Sequence, residues 1–452
     1  MKKILNLTTI FLLIFFWTNL KAQDEFNKTK LDSYFHQLEK NNKAMCGITI
    51  TKDGELVYEN YIGFSSVKEK IKNNSLTIFR IGSITKMFTA TIIFQLIEEG
   101  RLTLDTKLSE FYPQIPNSKE ITISDMLGHR SGIHSFTDEP EYLQYMTSQK
   151  SKEEMVKRIA EFESDFKPNE KYAYSNSNYV LLGYIIEEIT SSTYQEELRT
   201  RISEKINLVN TFFGDKINTK SNEAASYTFQ QGEWSLQPET HMSIPHGAGA
   251  IVSTPNDLTV LINALFNNNL ISEKSLNQMK DIKEGYGKGL VLFPFGNNFA
   301  YGHDGGIDGF ISNLAYFPND KVALSVLANG MNYIFNDILI GVLSIYFNAP
   351  FEIPNFDAKA IELNVEELKN YEGEFSSEQL SLDITLKVEN GQLNGQATGQ
   401  SAFPLTPYSK MEFRFEQAGI VIEFIPNNKG EIQYNSFILH QAGGKHTFKK
   451  QN

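Results

Sequence analysis

Cysteine is almost missing from this chain: Cys46 stands alone among 452 residues. A single thiol closes no internal disulfide and builds no cysteine-based metal site. Beside Ile48 and Ile50, it reads as a buried, inert thiol. Runs of Lys and Arg are missing too, and the formal net charge is −12. A surface of that sign repels nucleic acid, which removes nucleic-acid binding from the functions to consider. There is no internal repeat and no low-complexity stretch. Two catalytic signatures are absent. His-Glu-x-x-His does not occur, and His241 and His246, five apart beside Pro245, do not replace it, so a metal hydrolase finds no support. No Gly-x-Ser-x-Gly elbow of an α/β-hydrolase occurs either; between Gly128 and Gly132 the serine stands one place too late. No motif calls for a metal or another cofactor.

What is present describes a globular protein. Hydrophobic residues make up 41% and charged residues 21%, enough for a sizeable core, and the length allows two or three domains. Lys2 and Lys3, an apolar run from Ile10 to Trp17, and Leu20-Lys21-Ala22 form the charged, apolar and small-residue regions of a signal peptide over residues 1–22, cut after Ala22. The run is short for a membrane span, and no cysteine at the cut offers a lipid anchor. Removing the leader takes Lys2, Lys3 and Lys21 with it and makes the protein still more acidic. An exported chain without disulfides suggests a bacterial periplasm.

Along the mature chain, residues 47–64 alternate apolar and polar around Lys52-Asp53-Gly54, a hairpin signal. Residues 84–99 read as a helix whose apolar residues are too dense for one stripe, so it is expected to be buried nearly all round, with Gly100 as its stop. From 121 to 200 the pattern is mainly helical, with a strongly apolar helix over Tyr179 to Ile189. Another helix covers 255–268. Strands return from Phe310 to Leu327, broken at Pro318-Asn319-Asp320. Strands that open and close a domain around helices predict an α+β fold: an antiparallel sheet flanked by helices, plus an all-helical subdomain. The larger domain spans 23–350. Pro350 and Pro354 mark a linker over 351–363, and residues 364–452 read as a small all-β, barrel-like domain with turns at Asn390-Gly391 and Asn394-Gly395.

The chemistry concentrates in three places. Ser83-Ile84-Thr85-Lys86 opens the apolar helix, which puts Ser83 and Lys86 on one face. A serine hydroxyl needs a base, and a lysine in a water-poor pocket has its pKa lowered enough to be one. The helix N-terminus adds positive partial charge where an oxyanion would form. The pattern recurs at Ser65 to Lys68 with no helix behind it. Tyr174-Ser175-Asn176 offers a phenol that can relay a proton and an amide that can hold a substrate carbonyl or the lysine; Tyr58 to Asn60 repeats the spacing inside the hairpin. Gly302-His303-Asp304-Gly305-Gly306 precedes the late strands, either as a backbone ligand site or as a glycine-rich turn with an incidental histidine. Lys-x-Gly occurs at Lys52 to Gly54, the hairpin tip, and at Lys283 to Gly285, a loop within reach of the site in sequence.

In this order the three elements resemble the serine β-lactamase and penicillin-binding-protein superfamily in its class C-like branch, over residues 30–345. Phe79-Arg80-Ile81-Gly82, Leu127-Gly128-His129-Arg130-Ser131-Gly132-Ile133, and Gly247-Ala248-Gly249 with Ser253-Thr254-Pro255-Asn256-Asp257-Leu258 carry the likeness further. The resemblance implies that Ser83 is acylated, that Lys86 and Tyr174 share the general-base and general-acid work, and that Asn176 contacts substrate. It implies that the backbone N–H groups of Ser83 and Gly306 form the oxyanion hole, with His303 and Gly305 beside it. His129 and Ser131 are expected to be structural. Where class C β-lactamases resembling this chain have Lys-Thr-Gly, it has His303-Asp304-Gly305, so an esterase or D-aminopeptidase is favoured over a β-lactamase. The expected substrate is a small ester, an amide or a peptidoglycan-like peptide. The alternatives are a true β-lactamase or DD-carboxypeptidase, or a non-catalytic protein that binds penicillin or cell wall. The C-terminal module resembles the lipocalin-like barrels appended to such hydrolases.

Overall fold

The computed structural model describes residues 26–441 and 444–451; the signal peptide expected over residues 1–22 lies outside them. Helix α1 (Lys28–Lys40) leads into the expected hairpin, β1 (Ala44–Lys52) and β2 (Glu55–Ile62), which turns at Asp53-Gly54. Helix α2 (Thr85–Glu98) follows, and α3 (Asn176–Thr190) and α4 (Pro255–Phe266) complete the inner helices, with shorter helices between α2 and α3. Strands β3 (Val291–Phe295), β4 (Asn298–Ile307), β5 (Phe310–Phe317) and β6 (Val322–Met331) precede helix α5 (Phe335–Tyr346).

The first and last strands meet. The sheet runs β3-β4-β5-β6-β1-β2, each pair antiparallel, with β1 beside β6 from Ala44 opposite Met331 to Lys52 opposite Val322. Strand Tyr227–Gln230 adds a parallel neighbour to the end of β6. Alternation along β1 and β6 divides the core in two. Ile48, Ile50, Val326 and Leu324 point to one face, where they meet Leu31, Tyr34 and Phe35 of α1 and Ile338 and Val342 of α5. Ala323 and Leu327 point to the other and join the cluster of α2, α3 and α4. Helices α1 and α5 are not anticipated from the sequence. Each has an apolar stripe at helical spacing, and Gly341 lets them touch: a Cβ there would lie 2.6 Å from the Tyr34 ring.

Helix α2 is buried as its composition predicts: every residue from Thr85 to Leu96 is in the interior. It ends at Glu99, and Gly100 takes the left-handed conformation, φ 71°, that closes a helix. Helix α4 starts where the sequence places it. The Thr254 hydroxyl accepts from the Asp257 amide, and Pro255 occupies the first turn. Cys46 is buried, and burial pushes its thiol up to about 12.

The C-terminal module is a closed eight-stranded barrel, β7 (Gly373–Ser376), β8 (Asp383–Glu389), β9 (Gln392–Ala397), β10 (Phe403–Pro407), β11 (Glu412–Phe415), β12 (Ile420–Pro426), β13 (Ile432–Gln441) and β14 (Gly444–Lys450), each paired with the next and β14 with β7. Phe375, Phe413, Phe424, Phe437 and Phe448 fill its interior with Leu386, Leu405 and Ile422. Closure leaves no free strand edge.

One expectation changes. Gly302 to Gly306 do not precede the late strands; they lie inside β4, paired with Ala315 to Ile311 of β5. The glycines mark close approach rather than a turn. A Cβ on Gly302 would overlap the Leu314 carbonyl oxygen across the strand pair. Gly302→Ala is therefore expected to lower stability by about 1–3 kcal/mol through overpacking, read as an earlier urea midpoint with an unchanged m-value.

Candidate active site

Ser83 sits in a single 3-10 turn, Gly82–Ile84, directly ahead of α2, and Lys86 is in the first turn of that helix. Gly82 has φ 51°, which favours glycine, and a Cβ there would lie 2.8 Å from the Gly306 nitrogen. On the other side, a Cβ on Gly305 would overlap the Ile81 carbonyl oxygen and lie 2.9 Å from the Ser83 nitrogen. The Ser312 hydroxyl donates to that same Ile81 oxygen at 2.8 Å. Glycines on both sides thus let β4 lie against the turn that carries Ser83. This brings the backbone of Gly306 next to the turn that carries Ser83.

Lys86 is wholly buried. Its Nζ lies 2.9 Å from Ser83 Oγ, 2.8 Å from Asn176 Oδ1 and 2.9 Å from the Ala248 carbonyl oxygen. Two of these partners only accept, so they take two N–H bonds of the amine and direct its remaining position at Ser83. Burial holds Lys86 well below its ordinary pKa, against a smaller opposing effect of the Asp304 charge. A neutral Lys86 in this position has a lone pair directed at the serine hydroxyl, the geometry a proton acceptor needs.

Asn176 is the first residue of α3, and its amide is held at both ends. Oδ1 receives Lys86, and Nδ2 donates to Thr137 Oγ1 at 3.0 Å. Of the two roles open to it from sequence, the structure shows it holding the lysine, while it also lines the cavity above Ser83. Tyr174 lies in the segment before α3. Its half-buried ring lies 4.8 Å from Lys86 Nζ, and desolvation raises its pKa, so it is a neutral phenol. His129 stacks on Tyr174 with ring centres 4.2 Å apart and accepts from the Ser175 amide at 3.1 Å, which fixes the approach to α3. The Ser131 hydroxyl donates to Asn178 Oδ1 at 2.6 Å on the same helix.

The structure places His303 in the interior, away from the cavity lining. Its Nδ1 bonds the Asp304 carbonyl oxygen at 2.5 Å, an acceptor only, so Nδ1 carries the proton and Nε2 accepts from the Tyr286 hydroxyl at 3.0 Å. Burial is the main cause that lowers its pKa to about 3. Asp304 does not make it a cation. Gly305 and Gly306 meet the nucleophile turn, and Gly306 lines the cavity.

The other candidates stay apart from this site. Ser65 is buried and donates to the Ile71 carbonyl oxygen at 3.3 Å, and Lys68 is exposed. Asn60 Nδ2 donates to the Tyr58 hydroxyl at 3.0 Å within β2. Lys283 is an exposed loop residue outside the cavity. Among the described residues, no group of three or more His, Cys, Asp or Glu is placed to hold a metal.

Some site residues went unread in the sequence. Ala248 contributes only a carbonyl oxygen; the signal was Gly247 and Gly249 around it, since a Cβ on Gly247 would lie 2.6 Å from the Tyr179 oxygen. Thr137 left no pattern at all. Asp308, after β4, forms the floor with Arg80: Arg80 Nη1 donates to Oδ2 at 2.7 Å, while the Thr240 amide and hydroxyl donate to Oδ1 at 3.0 and 2.7 Å. The cavity in front of Ser83 measures about 760 Å³. Among the described residues, none of the barrel lines it.

The chain matches a family model described as Beta-lactamase over residues 32–339. It is 28% identical over 323 residues to a teichoic acid D-alanine hydrolase from Staphylococcus aureus (strain MRSA252), covering 69% of this chain and 77% of that protein. Among solved structures, a D-amino acid amidase from Ochrobactrum anthropi SV3, complexed with L-phenylalanine amide, superposes with a TM-score of 0.60 at 27% identity, covering 66% of this chain and 92% of that one. The octameric penicillin-binding protein homologue from Pyrococcus abyssi superposes with a TM-score of 0.65 at 24% identity, over 93% of this chain and 99% of the other, and shares the fold with the barrel region included.

Arg80 joins the strand before Ser83 to the segment after β4. Its loss would leave the fully buried Asp308 carboxylate without a counter-charge. Arg80→Met is expected to destabilise the protein by about 3–5 kcal/mol in denaturant titrations, and Arg80→Met with Asp308→Asn by clearly less, since the second change removes the stranded charge.

Proposed function

Because this chain belongs to the β-lactamase family, we propose that it is a serine hydrolase that forms an acyl-enzyme on Ser83 and cleaves an ester or a small amide. The observation that carries this reading is the buried Lys86, with two N–H bonds committed to Asn176 and Ala248 and its third position 2.9 Å from Ser83 Oγ. In the proposed sequence Lys86 takes the Ser83 proton as Oγ bonds to the substrate carbonyl carbon. The charge that develops on the carbonyl oxygen meets the backbone N–H groups of Ser83 and Gly306. Collapse breaks the bond to the leaving group, which receives the proton from Lys86 through or beside the Tyr174 hydroxyl. Water then attacks the acyl carbon, gives its proton to the same base, and frees Ser83.

The relatives support the substrate class: one is named as a hydrolase of D-alanine on teichoic acid, another as a D-amino acid amidase. A D-aminoacyl ester or amide is therefore the first substrate to try. The buried, neutral His303 supports esterase or amidase activity over β-lactamase activity, since it presents no cation to a substrate carboxylate. Export to a periplasm is part of the proposal and rests on the leader-like residues 1–22.

Ser83→Ala is expected to remove turnover of 4-nitrophenyl acetate by on the order of 10⁴-fold or more and to abolish labelling by a fluorophosphonate probe; undiminished turnover in that variant would refute the mechanism. Lys86→Ala should cost about 10²–10⁴-fold. Lys86 works only when neutral, so kcat/KM should fall toward acid pH as it takes up a proton. That limb should vanish from the residual activity of Lys86→Ala.

A further inference from the structure

We propose that the cleft selects substrates with an apolar acyl chain and without a carboxylate. The proposal rests on the acyl-serine reading above and narrows its substrate. The cavity over Ser83 is lined by Phe136, Tyr142, Leu143 and Met146 from the segment before α3, and by Ile307 and Ile311 from the end of β4 and the start of β5. Leu143 is 74% and Ile311 37% exposed. Single exposed apolar residues are ordinary, but these two face the same cavity as the nucleophile, where a substrate would cover them.

Charge in the cavity points the same way. No Lys, Arg or His lines it among the described residues, and its one charged lining residue is Asp308. The Asp308 carboxylate is already bonded to Arg80 and Thr240, so it is committed to the floor of the site. A substrate carboxylate entering here would lose water and find no free cation. The nearest amine, Lys86, is wholly buried and serves the reaction as a neutral base. The acyl half of the substrate stays bonded to Ser83 after the leaving group departs. Walls that face Ser83 therefore contact it in both half-reactions, and apolar burial there favours longer chains.

The test uses the full chain and 4-nitrophenyl esters of acetate, butyrate, pentanoate and hexanoate, with the mono-4-nitrophenyl ester of glutarate as the carboxylate-bearing counterpart of pentanoate. Each methylene buried is worth about 0.8 kcal/mol, so kcat/KM should rise about two- to fourfold per added methylene. The glutarate ester should be at least about tenfold poorer than pentanoate. Leu143→Lys, a change at an exposed position, should flatten the chain-length series and raise the glutarate-to-pentanoate ratio. A flat or falling series, or glutarate turned over as well as pentanoate, with Ser83 still labelled by a fluorophosphonate, overturns the selectivity and leaves the acyl-serine reading standing. Unchanged ratios in Leu143→Lys remove this wall as the selector. Failure of Ser83 to label overturns the acyl-serine reading, and the proposal with it.

Discussion

The burial of one amine organises this molecule. An ammonium group in the interior is costly, and Lys86 meets that cost in two ways: its charged form is disfavoured, and its N–H bonds are matched by acceptors. Each acceptor belongs to a different part of the chain, Asn176 at the start of α3 and Ala248 in the glycine-rich turn before α4. Satisfying Lys86 therefore requires three distant segments to converge. The same convergence leaves the amine with one direction unused, and Ser83 occupies it. The constraint that keeps the core whole also sets the amine against the Ser83 hydroxyl.

Much of the remaining architecture holds those segments in place. Thr89 donates to the Gly247 carbonyl oxygen at 2.6 Å, tying the α2 helix to the turn that bears Ala248. Thr137 holds the far end of the Asn176 amide, and His129 backs the Tyr174 ring. On the opposite side, Gly305, Gly306 and Ser312 press β4 and β5 onto residues 81–83, and the Arg80–Asp308 pair locks that contact from beneath. The helical side thus supplies Lys86 and the sheet side supplies the backbone of Gly305 and Gly306. Ser83 lies in the seam between them.

The barrel takes no part in this arrangement. Its interior is filled by its own aromatic side chains, and it meets the linker through Arg414 Nη1 to the Asn355 carbonyl oxygen and the larger domain through the close approach of Gly419 to Asp337. What α5 and the linker present to it is a docking surface away from the cavity lining.

Local patterning by itself determined the hairpin at Asp53-Gly54, the buried helix behind Ser83, the start of α4 and the barrel's alternating strands, because each depends on neighbours within a few residues. It also singled out Ser83 and Lys86, whose spacing lies within one helical turn. Only the tertiary structure decided the rest. Whether His303 is a surface cation or an interior neutral ring depends on Tyr286 and on the depth of β4, neither of which has a sequence signal. Whether Asn176 serves the substrate or the lysine depends on where α3 ends up relative to α2. Ala248 acts through a backbone oxygen that every residue type possesses, so no side chain could announce it. Periodicity reports which face of an element is buried, but it does not report what the buried face meets. At this site the partners lie as many as 162 residues apart, so they become neighbours only when the whole domain has closed around Lys86.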